Sequence, residues 1–254
     1  EASVREAESQ QIKLNAARGM KTAEESDLSL QHLLPLHSLG NLDSAVALIR
    51  HAIDNGSRIV VVGDFDCDGA TGTALAVRGL TMLGARNVLF KVPHRVLHGY
   101  GLTPGLVDAL ADLQPDLVIT VDSGIACLPG IGKAKQLGYQ VIVTDHHLPG
   151  ETLPEADAIV NPNLPDDGFD SKALAGVGVV FYLLLAVRQA LRTNGSPGAD
   201  ADLSSLLDLV AIGTVADMVK LDANNRRLVR AGLARINQGR CQPGVKALAQ
   251  ISGL

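Results

Sequence analysis

The stretch R-I-V-V-V-G-D-F-D-C-D-G-A-T, Arg58 to Thr71, decides how this chain is read. Its first half, Arg58 to Gly63, is a β-branched apolar run bounded by Asn55-Gly56 before it and a Gly/Asp-rich turn after it, the pattern of a short buried strand. Its second half places three carboxylates, Asp64, Asp66 and Asp68, at alternate positions and closes on Gly69. Ahead of it, apolar residues recur at Leu42, Ala45, Val46, Ile49 and Ile53, one face of a helix. Behind it the unit recurs in type: helix 71–83, strand 87–92, helix 104–113, strand 116–121, helix 128–137, strand 140–144 and a short strand 158–160. Continuous apolar strands separated by helices of about ten residues indicate right-handed crossovers. The fold class expected is therefore α/β, a parallel sheet of about five strands with helices on both faces. A helical C-terminal portion follows: 174–191, apolar nearly all round, then a surface loop at 194–200 and helices 203–215, 225–237 and 245–251. The first 27 residues are polar and helix-permissive, and 1–40 read as an N-terminal helical lead-in.

Composition narrows the class. The 254 residues are 46% hydrophobic and 19% charged, with no Trp and 3% aromatic residues, an aliphatic globular balance. The longest apolar stretch, Ala173 to Val187, is broken by glycines and falls short of the roughly 18 residues that a membrane span needs, so no membrane is expected. Cys67, Cys127 and Cys241 show no C-x-x-C spacing, which suits a reducing, cytoplasmic setting better than a disulfide framework. The first residue is Glu1, which suggests a fragment. A formal net charge of -5 argues against general electrostatic capture of nucleic acid. Carboxylates that hold divalent cations weaken that objection, because the bound ions reverse the local charge.

In an open parallel sheet, ligands bind at the carboxyl ends of the strands. The residues following the strands here are conspicuously polar: Asp64, Asp66 and Asp68 after the first, Asp122-Ser123-Gly124 after the third, and Asp145-His146-His147 after the fourth. Asp217 follows where a largely apolar helix runs into a turn. Carboxylates so crowded repel one another unless a cation shares them. Oxygen ligands with one or two imidazoles suit Mn²⁺ or Mg²⁺, and two such ions about 3.5 to 4 Å apart would permit in-line phosphoryl hydrolysis. Blander readings fit less well. An EF-hand loop begun at Asp64 needs Glu at its twelfth position and finds Leu75. No G-x-G-x-x-G follows the strand, and three acids would repel a dinucleotide's pyrophosphate. Asp122, Asp217 and the histidine pair could each be a cap or a surface feature alone, but acids or imidazoles after three strands of one sheet are not explained as caps.

V-I-V-T-D-H-H at Val141 to His147 resembles the motif that names the DHH phosphoesterase family. V-V-V-G-D-F-D-C-D-G-A-T (Val60 to Thr71), V-D-S-G-I (Val121 to Ile125) and G-T-V-A-D (Gly213 to Asp217) match the family's other metal motifs in order. V-P-H-R with G-Y-G-L, L-P-G with N-P-N, L-A-G-V-G-V-V-F-Y and L-D-A-N-N-R are similar to its RecJ-like branch. The resemblance implies a DHH catalytic domain over 41–254 that hydrolyses phosphodiesters in single-stranded DNA from the 5′ end, using two Mn²⁺ or Mg²⁺ ions, in DNA repair and recombination. Carried over by position, Asp66 and Asp122 would hold one ion, and Asp68, Asp122, His146 and Asp217 the other, with Asp122 bridging and Asp64 either a nearby ligand or a carboxylate just behind the ligands. His147 and Asp64 are the catalytic candidates, and Arg95 and Tyr100 the DNA-binding ones. Single-stranded DNA is the implied partner, beside repair or single-strand-binding proteins. Cys67 and Ser123 stand where alanine and asparagine are common, and Leu97 and His98 where acids are expected. No Gly-Gly-His motif or OB-fold follows before Leu254, so a truncated core is expected. The rival readings are a small-substrate DHH phosphatase acting on pyrophosphate, pAp or oligoribonucleotides, and a non-catalytic replication scaffold. G-Y-G-L and L-A-G-V-G disfavour the first, and filled metal stations the second.

Overall fold

The computed structural model describes residues 23–253, with residues 10, 13, 14, 16, 17 and 20. The part of the expected lead-in that falls on the remaining residues before 23 lies outside the described residues. Between Ala23 and Ser38 the chain forms three 3₁₀ turns, Ala23–Ser26, Leu30–His32 and Leu36–Ser38. It then enters the core at Leu39.

The described residues form one parallel sheet of five strands, β1 (Arg58–Gly63), β2 (Asn87–Lys91), β3 (Leu117–Val121), β4 (Gln140–Thr144) and β5 (Ala158–Val160), in the order β2-β1-β3-β4-β5. Alternation within β1, β3 and β4 feeds two cores, as a pleated sheet covered on both faces requires. Ile59 and Val61 face the larger core, with α1 (Leu42–Asn55), α2 (Cys67–Met82) and α5 (Gly176–Thr193). Val60 and Val62 face the other, where α3 (Pro104–Asp108) and α4 (Leu128–Gln136) contribute Leu106, Val107 and Ile131. α6 (Leu207–Ala216), α7 (Ala223–Asn237) and α8 (Pro243–Ile251) complete the helical C-terminal portion.

Helix boundaries differ from the sequence expectation, and the helix expected at 203–215 opens as a 3₁₀ turn, Leu203–Leu206, before its α-helical part. The helix expected at 71–83 begins at Cys67, because Asp66 caps it by accepting from the Gly69 amide at 2.8 Å. The helix expected at 104–113 stops at Asp108 and continues as a 3₁₀ turn, Ala111–Leu113. One more difference concerns α5. By length and composition it could cross a membrane, but the structure wraps it in the larger core, with Val177, Val180, Tyr182 and Leu184 all buried.

Register places the site. Gly63 aligns with Val121, and Val121 with Thr144, so Asp64, Asp122 and Asp145 leave three neighbouring strands at one level. The chain moves from β1 out to β2 and then back across β1 to β3, so β1 and β3 flank the topological switch point, where a crevice opens.

Candidate metal centre

Three triplets of ligand-type side chains converge at that crevice, each offering atoms within 4.8 Å of one another: Asp64, Asp66 and Asp122; Asp68, His146 and Asp217; and Asp122, His146 and His147. Asp122 and His146 each belong to two triplets. Six residues named from the strand ends and from the end of α6 are thus brought together, with His147 at their edge.

Local structure explains how each arrives. Asp66 and Asp68 occupy the cap and first turn of α2. Asp68 is buried, and the N-terminus of α5 holds both its oxygens, through the amides of Gly176 (2.6 Å) and Val177 (3.0 Å). A helix N-terminus favours negative charge there. Asp122 turns off β3 with φ 58°, a left-handed conformation that aspartate tolerates better than most residues. Gly176 lets α5 approach it, since a Cβ there would lie 2.7 Å from the Asp122 Cβ and 2.8 Å from its Oδ1. Asp217 ends α6 at its C-cap.

The buried atoms at the centre are not satisfied by one another. His146 Nε2 lies 3.0 Å from Asp122 Oδ1 and 3.6 Å from Asp217 Oδ2. Neither pair is aligned as a hydrogen bond, and these three atoms, like Asp64 Oδ1, are buried without a hydrogen-bond partner. Orphaned polar groups of this kind cost several kcal/mol unless something compensates them. An ion with bonds of about 2.1 Å at right angles sets neighbouring ligand atoms about 3.0 Å apart, the spacing of His146 and Asp122. The donor set, carboxylate oxygens with imidazole, fits a hard divalent cation.

The titration behaviour agrees. Burial, reinforced by Asp122, raises the Asp68 carboxyl well above the usual range. Burial likewise raises Asp122, against the lowering influence of His146, and it raises Asp64 and Asp217 too. His146 is pulled down by burial, but the Asp122 and Asp217 carboxylates outweigh this and raise it.

His147 differs from its neighbour. Its side chain is about half exposed, and its Nδ1 lies 2.7 Å from Asp145 Oδ1 in a hydrogen bond that raises the imidazole to about 9. Asp145 is fully buried. Burial works to raise it, yet the bonds it accepts from the His147 ring and the Ile125 amide hold it below the usual range.

Several residues that sequence reading left without a role support the site. Asp145 Oδ1 also accepts from the His146 and His147 amides. The side-chain amide of Asn161 donates to the His147 carbonyl (2.9 Å), and that of Asn163 to the His146 carbonyl (2.5 Å). N-P-N was the available signal, since two amide side chains spaced by proline can each fix a backbone group.

The two expected DNA-binding residues sit on the rim. Arg95 lies over the Phe65 ring, 4.3 Å from guanidinium carbon to centroid. The Tyr100 hydroxyl donates to the Asp122 carbonyl at 3.1 Å, and its ring meets Phe65 and His147 edge-on at 6.3 and 6.2 Å.

Fold and centre together define a class, and the chain belongs to it: residues 58–214 match the DHH family's N-terminal domain. The chain is 53% identical over 244 residues to the single-stranded-DNA-specific exonuclease RecJ of Salmonella typhimurium, an alignment covering 94% of this chain and 42% of that protein. It is similar in structure to exonuclease RecJ bound to manganese, with a TM-score of 0.75 and 41% identity over 87% of this chain and 54% of that one. It also resembles RecJ in complex with Mn²⁺ from Thermus thermophilus, with a TM-score of 0.72 and 39% identity over 93% of this chain and 32% of that one. The chain thus spans about two fifths of the Salmonella relative's length.

Proposed function

We propose that this chain is the DHH catalytic domain, over 41–254, of a metal-dependent phosphodiesterase that degrades single-stranded DNA from the 5′ end. The observation that carries the reading is the convergence of three ligand triplets sharing Asp122 and His146 at the switch point of the sheet. The names of the relatives support the substrate, and the Mn²⁺-bound relatives support the metal.

Asp64, Asp66 and Asp122 would hold one divalent cation, and Asp68, Asp122, His146 and Asp217 the other, with Asp122 common to both. When bound, Mn²⁺ or Mg²⁺ would supply Lewis acidity toward a phosphoryl oxygen and lower the pKa of the attacking water. The chain's own residues do the rest. His147, charged through Asp145 and half exposed, faces the scissile phosphate and can give its proton to the leaving oxygen. Arg95 meets a phosphate and Tyr100 a base, as positioning contacts. Asp145, Asn161 and Asn163 fix the histidine pair so that no reorganisation is needed during the reaction. Such an enzyme works in the cytoplasm, in repair and recombination, beside single-strand-binding and repair proteins.

The test is degradation of 5′-labelled and 3′-labelled oligonucleotides, single-stranded and duplex, with pyrophosphate and pAp as competing substrates. The expected result is Mn²⁺- or Mg²⁺-dependent release of label first from the 5′-labelled single strand, weak, salt-sensitive and abolished by chelator. Efficient phosphate release from pyrophosphate or pAp, with oligonucleotides intact, would assign the chain to small substrates instead.

A further inference from the structure

We infer that Phe65 is a positioning residue for the substrate strand, a ring that holds Arg95 at the cleft so that its N–H groups stay available to a phosphate. The inference rests on the strand-cleaving reading above. Phe65 stands between Asp64 and Asp66 and is therefore anchored to the metal centre from both sides, with its ring half-buried. Arg95 reaches it from the exposed segment 94–97, in which Val96 and Leu97 are among the most exposed apolar side chains of the described residues. Guanidinium carbon and ring centroid are 4.3 Å apart, well inside cation–π range.

What Arg95 does not do is equally informative. Among the described residues its guanidinium makes no hydrogen bond or ion pair. A ring face attracts the charge without consuming a donor, so all five N–H groups are left for a ligand. An unrestrained arginine would lose rotamer freedom on meeting a phosphate, and a pre-placed one loses less. Tyr100 meets the same ring edge-on at 6.3 Å and is tied by its hydroxyl to Asp122, so Phe65 links both rim residues to the metal centre.

The test is a kinetic and metal-binding comparison of Phe65→Leu, Phe65→Trp, Arg95→Ala and the Phe65→Leu/Arg95→Ala pair. An exposed cation–π contact corresponds to about a two- to five-fold effect. Phe65→Leu should therefore raise KM for a single-stranded oligonucleotide about two- to five-fold, with kcat within about two-fold and Mn²⁺ stoichiometry unchanged. Phe65→Trp should restore KM, and Phe65→Leu should add nothing once Arg95 is alanine, because the pair acts as a unit. An additive double variant, a tryptophan variant as impaired as leucine, or a change in kcat alone would overturn the inference. A wild-type protein that neither binds nor degrades oligonucleotides would contradict the strand-cleaving reading instead. The positioning is then read by NMR: the Arg95 side-chain N–H should carry an upfield ring-current shift that Phe65→Leu removes, and its absence in the wild type would overturn the inference.

Discussion

Gly176→Ala probes the close approach of α5 to Asp122 in the metal centre. The added Cβ would lie 2.7 Å from the Asp122 Cβ, 2.8 Å from Oδ1 and 2.9 Å from Cγ, distances that no rotation of the aspartate relieves, because its Cβ is itself one of the clashing atoms. Either Asp122 withdraws, or the start of α5 retreats and takes with it the amides of Gly176 and Val177 that hold Asp68. Both responses move ligands. Overpacking of this kind costs about 1 to 3 kcal/mol, and alanine regains up to about 1 kcal/mol as the better helix former, so the metal-free protein should lose about 0 to 2 kcal/mol of stability. Metal affinity should fall about 10- to 100-fold, the usual consequence of disturbing the groups that orient ligands, which corresponds to about 1.4 to 2.7 kcal/mol. The control is Gly178→Ala, one half-turn along, whose Cβ would meet the Leu174 Cδ1 at 2.5 Å and Cγ at 2.9 Å, an apolar side chain that holds no ligand. Titration calorimetry with Mn²⁺, beside thermal melts in chelator, gives both quantities. Equal Mn²⁺ affinity for wild type and the two variants would show that the approach of α5 at Gly176 does not set the ligand positions.

Asp122→Ala should lose hydrolysis and the binding of both ions together, since it belongs to both ligand groups; retained activity would rule out a shared ligand. His147→Ala should keep metal while losing about 10²- to 10⁴-fold in turnover, as expected for a proton donor, and loss of both ions by elemental analysis would show it to be a structural ligand. Stability of the metal-free protein should fall as pH rises. Asp68 and Asp122 are raised in the folded state to about 7 and about 6 from an ordinary 3.8, chiefly by burial, so their contribution is complete below about pH 4 and lost as pH climbs through the folded values. His147, raised to about 9 by Asp145, acts in the same direction above its ordinary 6.5. Melts in chelator between pH 5.5 and 8 should therefore show a declining Tm, and saturating Mn²⁺ should reverse the trend because it competes with protons for the same atoms; a flat profile in chelator would contradict the assignment of those shifts.

Much of the fold is legible in the chain because short β-branched runs followed by polar residues leave little choice. β1, β4 and β5 fall on the residues that the pattern marks, and the polar residues that follow the strands are the ones the register brings level. The start of α2 is not legible in the same way. Asp66, Cys67, Asp68 and Gly69 have the composition of a turn, and only the bond from the Gly69 amide to Asp66 makes them a helix cap and first turn. α3 is cut short for a local reason: after Ala109 the chain tightens into a 3₁₀ turn that ends on Gln114 at φ 46°.

Ligand types could be read because carboxylate and imidazole carry their chemistry with them. The residues that hold those ligands carry at most a weak signal, N-P-N, and their targets are not in the sequence. Asp145, Asn161, Asn163 and Gly176 act on backbone amides, backbone carbonyls and a neighbouring carboxylate that only the folded chain brings within reach. Tyr100 shows the limit from the other side. An aromatic residue on the rim suggests base stacking, but its hydroxyl also grips the Asp122 carbonyl, a contact between residues 22 positions apart.

The central claim is that these side chains form a centre for two cations with Asp122 between them. The direct measurement is anomalous diffraction at the manganese edge from crystals of this chain grown with Mn²⁺. Two peaks are expected about 3.5 to 4 Å apart, one among Asp64, Asp66 and Asp122 and the other among Asp68, Asp122, His146 and Asp217, with His147 coordinated to neither. Full occupancy at a single site away from Asp122, or ions bound outside this crevice with the carboxylates unliganded, would contradict it.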